Sequence, residues 1–96
     1  MNHLKYGGNM PYVIIVYDID IKRVGKVNKF LKRFLYWRQN SVFEGEIRKS
    51  DLEFIKMNLN EIIKDQDNII IYSFDQKYLN CTELGYKKSK VNENII

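Results

Sequence analysis

The sequence predicts an α+β fold in which two helices cover one face of a mostly antiparallel sheet. Three observations lead there. Tyr12 to Tyr17 and Ile69 to Phe74 are runs of β-branched and aromatic residues, the composition of central strands. Between them lie two stretches whose apolar residues recur at three- and four-residue steps, the spacing of amphipathic helices. The second of those stretches opens on a serine-to-glutamate capping pattern, and turn-forming pairs sit where the period changes.

Met1 to Asn9 ends in Gly7-Gly8-Asn9 without an apolar period and reads as a flexible leader ahead of Met10. The first strand, Tyr12 to Tyr17, lacks polar alternation, as expected of a strand buried on both faces. After Asp18-Ile19-Asp20, the residues Val24, Val27, Leu31, Phe34 and Leu35 form one stripe of the first helix, and Lys22, Lys26, Lys29 and Arg33 line another. Asp20 stands at the N-cap position, where a carboxylate accepts from unsatisfied amides and suits the positive helix end.

Tyr36 to Ile47 is the second extended region, with Asn40-Ser41 as a bend dividing it into two short strands. Val42, Glu44 and Glu46 fall on one face, Phe43, Gly45 and Ile47 on the other. Gly45 marks either a close backbone approach or a bulge. Ser50-Asp51-Leu52-Glu53 reads as a capping box for the second helix, with Leu52, Ile55, Leu59, Ile62 and Ile63 as its apolar stripe. Asp67-Asn68 turns the chain into the strand Ile69 to Phe74, and Cys81 to Tyr86 reads as a short last strand at an edge.

Strand, helix, strand pair, helix, strand is the order of a ferredoxin-like βαββαβ sandwich. The domain expected is 10–86, with 87–96 as a C-terminal tail that packs on a partner. At 96 residues there is room for one core and not for two. Two helices cover one sheet face, so the other face is left apolar and open, and a second protomer is the simplest cover. A homodimer is therefore expected.

Composition excludes several chemistries. His3 is the sole histidine and Cys81 the sole cysteine, which leaves no zinc set, no Cys-His nucleophile, no Ser-His-Asp triad and no internal disulfide. No apolar run approaches the roughly 18 to 20 residues of a membrane span, and the N-terminus is polar, so a cytoplasmic protein without membrane contact is expected. Charge is uneven: residues 10–49 carry nine basic and four acidic side chains, an excess of five within a formal total of +4. That asymmetry points to a polyanion, although a lysine-lined helix is ordinarily just a solvated face.

Asp18 ends the first strand, where a carboxylate can ligate a divalent cation or cap a turn. One such group per chain suffices for magnesium when a dimer axis supplies two. Arg23 and Arg38 bracket the first helix, and the guanidinium fork suits phosphate oxygens as well as surface salt bridges. Phe43 has the type to stack on a base or to fill the core. Ser41 positions a phosphate or forms the bend.

Val13-Ile14-Ile15-Val16-Tyr17-Asp18-Ile19, then Lys22-Arg23, Val27 and Leu31, then Gln39-Asn40-Ser41-Val42-Phe43-Glu44-Gly45, resembles the CRISPR-associated Cas2 family over nearly the whole chain after Met10. Asp67 to Tyr72 and Leu84-Gly85-Tyr86 resemble its closing strands. The resemblance implies a ferredoxin-like homodimer whose two Asp18 side chains face each other across the two-fold axis and hold Mg²⁺ or Mn²⁺. It implies a metal-dependent endonuclease of spacer acquisition acting on RNA or DNA, with Tyr17, Asp18, Ser41 and Phe43 at the catalytic centre. Lys22, Arg23, Lys26, Lys29, Arg33 and Arg38 become the nucleic-acid contacts. The alternative within the family is a non-catalytic DNA-binding scaffold that bridges the CRISPR integrase. Outside it stands a regulatory domain sharing only the architecture. Lysines stand where the family often has further arginines, and a lysine offers a point charge instead of a fork.

Overall fold

The computed structural model describes residues 10–86; the expected leader at 1–9 and tail at 87–96 lie outside the described residues. The elements are β1 (Tyr12–Asp18), α1 (Ile21–Leu31), β2 (Tyr36–Gln39), β3 (Val42–Glu46), α2 (Lys49–Ile62) and β4 (Asn68–Phe74), followed by a short 3₁₀ turn at Gln76–Tyr78. The strands form one sheet in the order β2-β3-β1-β4, antiparallel throughout. This is the expected α+β arrangement with β1 at its centre.

Local chemistry explains most of the boundaries. The Asp20 carboxylate accepts from the Lys22 amide at 2.8 Å and caps α1, as its position predicts. Asn40 takes a positive φ of 44°, a conformation its short polar side chain tolerates, and thereby separates β2 from β3. The Trp37 indole donates to the Asn40 carbonyl at 3.0 Å and braces that turn. Gly45 sits in a regular ladder opposite Val13 and marks no bulge: a Cβ there would meet Leu35 Cδ2 at 3.1 Å and come within 3.8 Å of the Leu35 Cα, so the missing side chain lets Leu35 approach.

Two local expectations are corrected. The Ser50 capping box does not form: α2 starts two residues earlier than that cap would place it, at Lys49, with Arg48 in extended backbone as a cap that makes no side-chain hydrogen bond. Asp51 lies in the first turn instead, where its charge suits the helix dipole, and pairs with Arg48 at 3.3 Å. Cys81 to Tyr86 forms no strand. It lies over the sheet face, not beside an edge, and a strand without a neighbour to complete its ladder has no stability of its own.

The core is a single cluster. Val13, Ile15 and Tyr17 of β1, Phe43 of β3, Val27 and Leu31 of α1, and Leu52, Ile55 and Leu59 of α2 are all buried, joined by Leu35 and Ile47. The other side of the sheet is different. Tyr12, Ile14 and Val16 are only half-buried, while Ile70 and Tyr72 are exposed. The expectation of strands buried on both faces therefore fails for one chain: the helices are spent on one side, and β4 is an edge strand without a buried residue. Residues 78–86 cross part of the open face, lining shallow clefts with Tyr12, Ile14, Val42 and Glu44. Burial, and then the charge of Glu44, push the Tyr12 hydroxyl up to about 12.

Phe43 has no exposed surface and stacks on Tyr17 with ring centroids 6.1 Å apart. Phe43→Ala should lower unfolding free energy by about 3–5 kcal/mol through lost burial and a residual cavity. Urea denaturation checks this.

Candidate functional site

Period-two alternation along β1 places Tyr12, Ile14, Val16 and Asp18 on the uncovered face and Val13, Ile15 and Tyr17 in the core. Asp18 is the last of its row and is exposed. Among the described residues its carboxylate takes part in no hydrogen bond or ion pair, so all its acceptor capacity is open. It borders an open cleft of about 750 Å³ with Ile19, Asp20, Arg23, Asp65, Gln66 and Asp67. Ser41 is close by: its carbonyl accepts from the Tyr17 amide at 3.0 Å, setting the start of β3 beside the end of β1.

Asp67 organises this corner. Its carboxylate receives a two-point contact from Arg23, from Nε at 2.6 Å and Nη2 at 3.2 Å, and accepts from the Asp20 and Lys64 amides at 2.9 and 3.0 Å. The Arg23 hydrogen bond is the largest cause, with the two amides adding to it, of an Asp67 carboxyl held well below the usual carboxylate range. The same bond raises the Arg23 guanidinium. Asp20 is spent on its cap and Asp67 on its clamp, whereas Asp18, at the end of the central strand, is unengaged among the described residues.

Residues 10–81 match the family described as "CRISPR associated protein Cas2". The chain belongs to that family. It is 55% identical over 87 residues to CRISPR-associated endoribonuclease Cas2 2 of Archaeoglobus fulgidus, a match covering 88% of this chain and 95% of that protein. It is 48% identical over 87 residues to CRISPR-associated endoribonuclease Cas2 of Methanosarcina acetivorans, covering 88% and 99%. A solved structure described as "Crystal structure of cas2" superposes with a TM-score of 0.76 at 46% identity, covering 83% of this chain and 92% of that one. A hypothetical protein of Thermus thermophilus, TT1823, superposes with a TM-score of 0.72 at 26% identity, over 80% and 93%.

Of the residues that the Cas2 resemblance marks as catalytic, the fold brings Asp18 and Ser41 to one end of the sheet, with Tyr17 and Phe43 directly beneath them. Tyr17 and Phe43 belong to the core. The Tyr17 hydroxyl donates to Asn28 Oδ1 on α1, burial raises its pKa, and only 4% of the residue is exposed. Phe43 is fully buried, out of reach of a stacking base, and packs against Tyr17. Arg23 lies at the cleft with its fork already filled by Asp67. Arg38 is on the uncovered face, bridging Glu44 at 3.1 Å and Glu83 at 3.2 Å, and so ties residues 78–86 to β3. Lys22, Lys26, Lys29 and Arg33 are exposed and unpaired among the described residues.

The donor set bears on the metal of the Cas2 resemblance. Among the described residues no three His, Cys, Asp or Glu side chains gather in a way that could hold an ion. A lone exposed carboxylate fits a hard cation that keeps most of its waters, and the number of protein ligands rises if a second chain brings its own Asp18. Asp67, Asn28 and Asp65 are the residues sequence reasoning missed. Asp67 was legible as a turn former, but nothing local signals an arginine partner 44 positions away.

Asp67 has a depressed folded-state pKa, so its contribution to stability is present above the unfolded value and is lost as pH falls through the folded one. Asp67→Asn should therefore melt lower than wild type at neutral pH, the gap shrinking below about pH 4, where the unfolded carboxyl protonates. Thermal melts from pH 7 to pH 2 check the sign. Arg38→Ala should speed amide exchange in residues 79–86 without changing it in β1, as measured by hydrogen exchange.

Proposed function

We propose that the chain is a CRISPR-associated endoribonuclease that hydrolyses phosphodiester bonds of RNA with Mg²⁺ or Mn²⁺ held by Asp18 of two copies. The observation that carries this reading is the Asp18 carboxylate, free among the described residues, at the end of the central strand on the sheet face that the helices leave open. A second copy seated on that face by two-fold symmetry brings two Asp18 side chains toward one axis. The names of the Archaeoglobus and Methanosarcina relatives, both endoribonucleases, support the reaction class.

Electrostatics favour a cation at this corner. The cleft is lined by Asp18, Asp20, Asp65 and Asp67 against Arg23 alone, so a phosphodiester entering it meets net negative charge. When bound, the cation supplies compensating charge, polarisation of the scissile phosphate and a water of lowered pKa. The chain's own residues do the rest. Asp18 anchors, the Ser41 carbonyl holds the end of β1 through the Tyr17 amide, and the Arg23–Asp67 clamp keeps the α1 end from shifting. The reading takes the protein to be cytoplasmic, and among the described residues no helix is long and apolar enough to cross a membrane. The CRISPR integrase is its further partner.

Labelled RNA incubated with wild type and Asp18→Ala, in Mg²⁺, Mn²⁺ or EDTA, tests the proposal. Cleavage should require metal and fall about 100- to 1,000-fold or more in the variant, the scale of losing a main electrostatic contact to the transition state. Sedimentation should show dimers of both proteins. Full cleavage by Asp18→Ala would overturn the reading, and binding without cleavage by wild type would favour the scaffold.

A further inference from the structure

Lys22, Lys26 and Lys29 of α1, and Arg33 in the turn after it, recur at three- and four-residue steps and share one face of the helix. Val27 and Leu31 are buried on its other side, so this face points away from the core. All four cations are exposed and lack an ion pair among the described residues. At 1.5 Å per residue the stripe is roughly 16 Å long. It begins four residues after Asp18.

Its far end meets an aromatic pad. The Arg33 guanidinium lies over the rings of Phe30 and Phe34, at 5.7 and 5.4 Å from their centroids. Phe54 of α2 packs against both, with centroids 6.1 and 6.0 Å away, and is nevertheless 44% exposed. Met57, three residues on, is 64% exposed. Lysines alone make a solvated face, and three phenylalanines alone join two helices. A row of unpaired cations leading to an exposed ring, itself packed on two rings that carry a guanidinium, is the combination that holds a nucleic-acid strand, with cations tracking the backbone and an aromatic face for a base.

We infer that a single RNA strand leaves the Asp18 corner along α1, its phosphates against Lys22, Lys26 and Lys29, and stacks an unpaired base on Phe54. Charge complementarity selects the polyanion. Stacking selects a single strand, because the bases of a duplex are already stacked on one another. The inference rests on the endoribonuclease reading for the identity of the strand as RNA, but its test reads binding alone.

Binding of a fluorescent 12-nucleotide RNA to the full chain, in the Asp18→Ala background with EDTA, keeps cleavage out of the measurement. Phe54→Ala should weaken binding about tenfold, within the range for losing one base–aromatic stack, while Phe54→Tyr should bind like the parent. Lys26→Gln/Lys29→Gln should reduce the slope of log affinity against log salt by about 1.4. A strand with abasic residues should bind about tenfold more weakly than the normal strand, and this needs no substitution at Phe54. Equal affinity for normal and abasic strands, or a Phe54→Ala loss that the abasic strand shares, would overturn the base-stacking assignment. An unchanged salt slope would overturn the α1 path. Loss of cleavage in any of the endonuclease assays leaves these outcomes untouched.

Discussion

One carboxylate holds the corner on which the candidate site depends. Asp67 stands just before β4 and gathers the Arg23 guanidinium and the backbone amides of Asp20 and Lys64. Those contacts join the start of α1 to the loop entering β4, on either side of the end of β1. Asp20 in turn caps α1. Asp18 is left unengaged at the end of β1: Asp20 and Asp67 beside it are committed to structure, and among the described residues its own carboxylate has no partner. In a cleft with four carboxylates and one arginine, such an arrangement repels a phosphate unless a cation accompanies it.

The alternation of β1 links the fold to the site. Its even-numbered residues face away from the helices and its odd-numbered ones form the core, so the strand that organises packing also delivers Asp18 to the side without a lid. Among the described residues, that side is covered only by residues 78–86, latched by Arg38 between Glu44 and Glu83. Exposed Ile70 and Tyr72 remain beside it. A surface of this kind invites a second copy, which closes the apolar area and doubles the carboxylates in one step.

Much of this was legible in the sequence, and the failures share a cause. Helix spacing located α1 and α2, β-branched runs located β1 and β4, and Asn40-Ser41 marked the turn, because each signal acts within a few residues. The Ser50 capping box failed because an Arg48–Asp51 pair and an earlier start served the same helix end. The second face of β1 and β4 stays open because composition reports what a strand can bury and not whether the helices of a single chain supply the cover. Arg23 and Arg38 looked like phosphate ligands by residue type, yet Asp67, Glu44 and Glu83 occupy them. Those partners lie far away in sequence or on another strand, where no local pattern reaches. Phe43 could be core or stacking platform on paper, and only its burial decides for the core.

Two chains sharing one cation through Asp18 is the arrangement on which the proposed chemistry depends. Titration of Mn²⁺ into the metal-free protein, followed by the loss of the free-ion paramagnetic resonance signal, measures that directly. One tightly held ion for every two chains is expected in wild type and none in Asp18→Ala. One ion per chain, or uptake unaffected by the substitution, would contradict it.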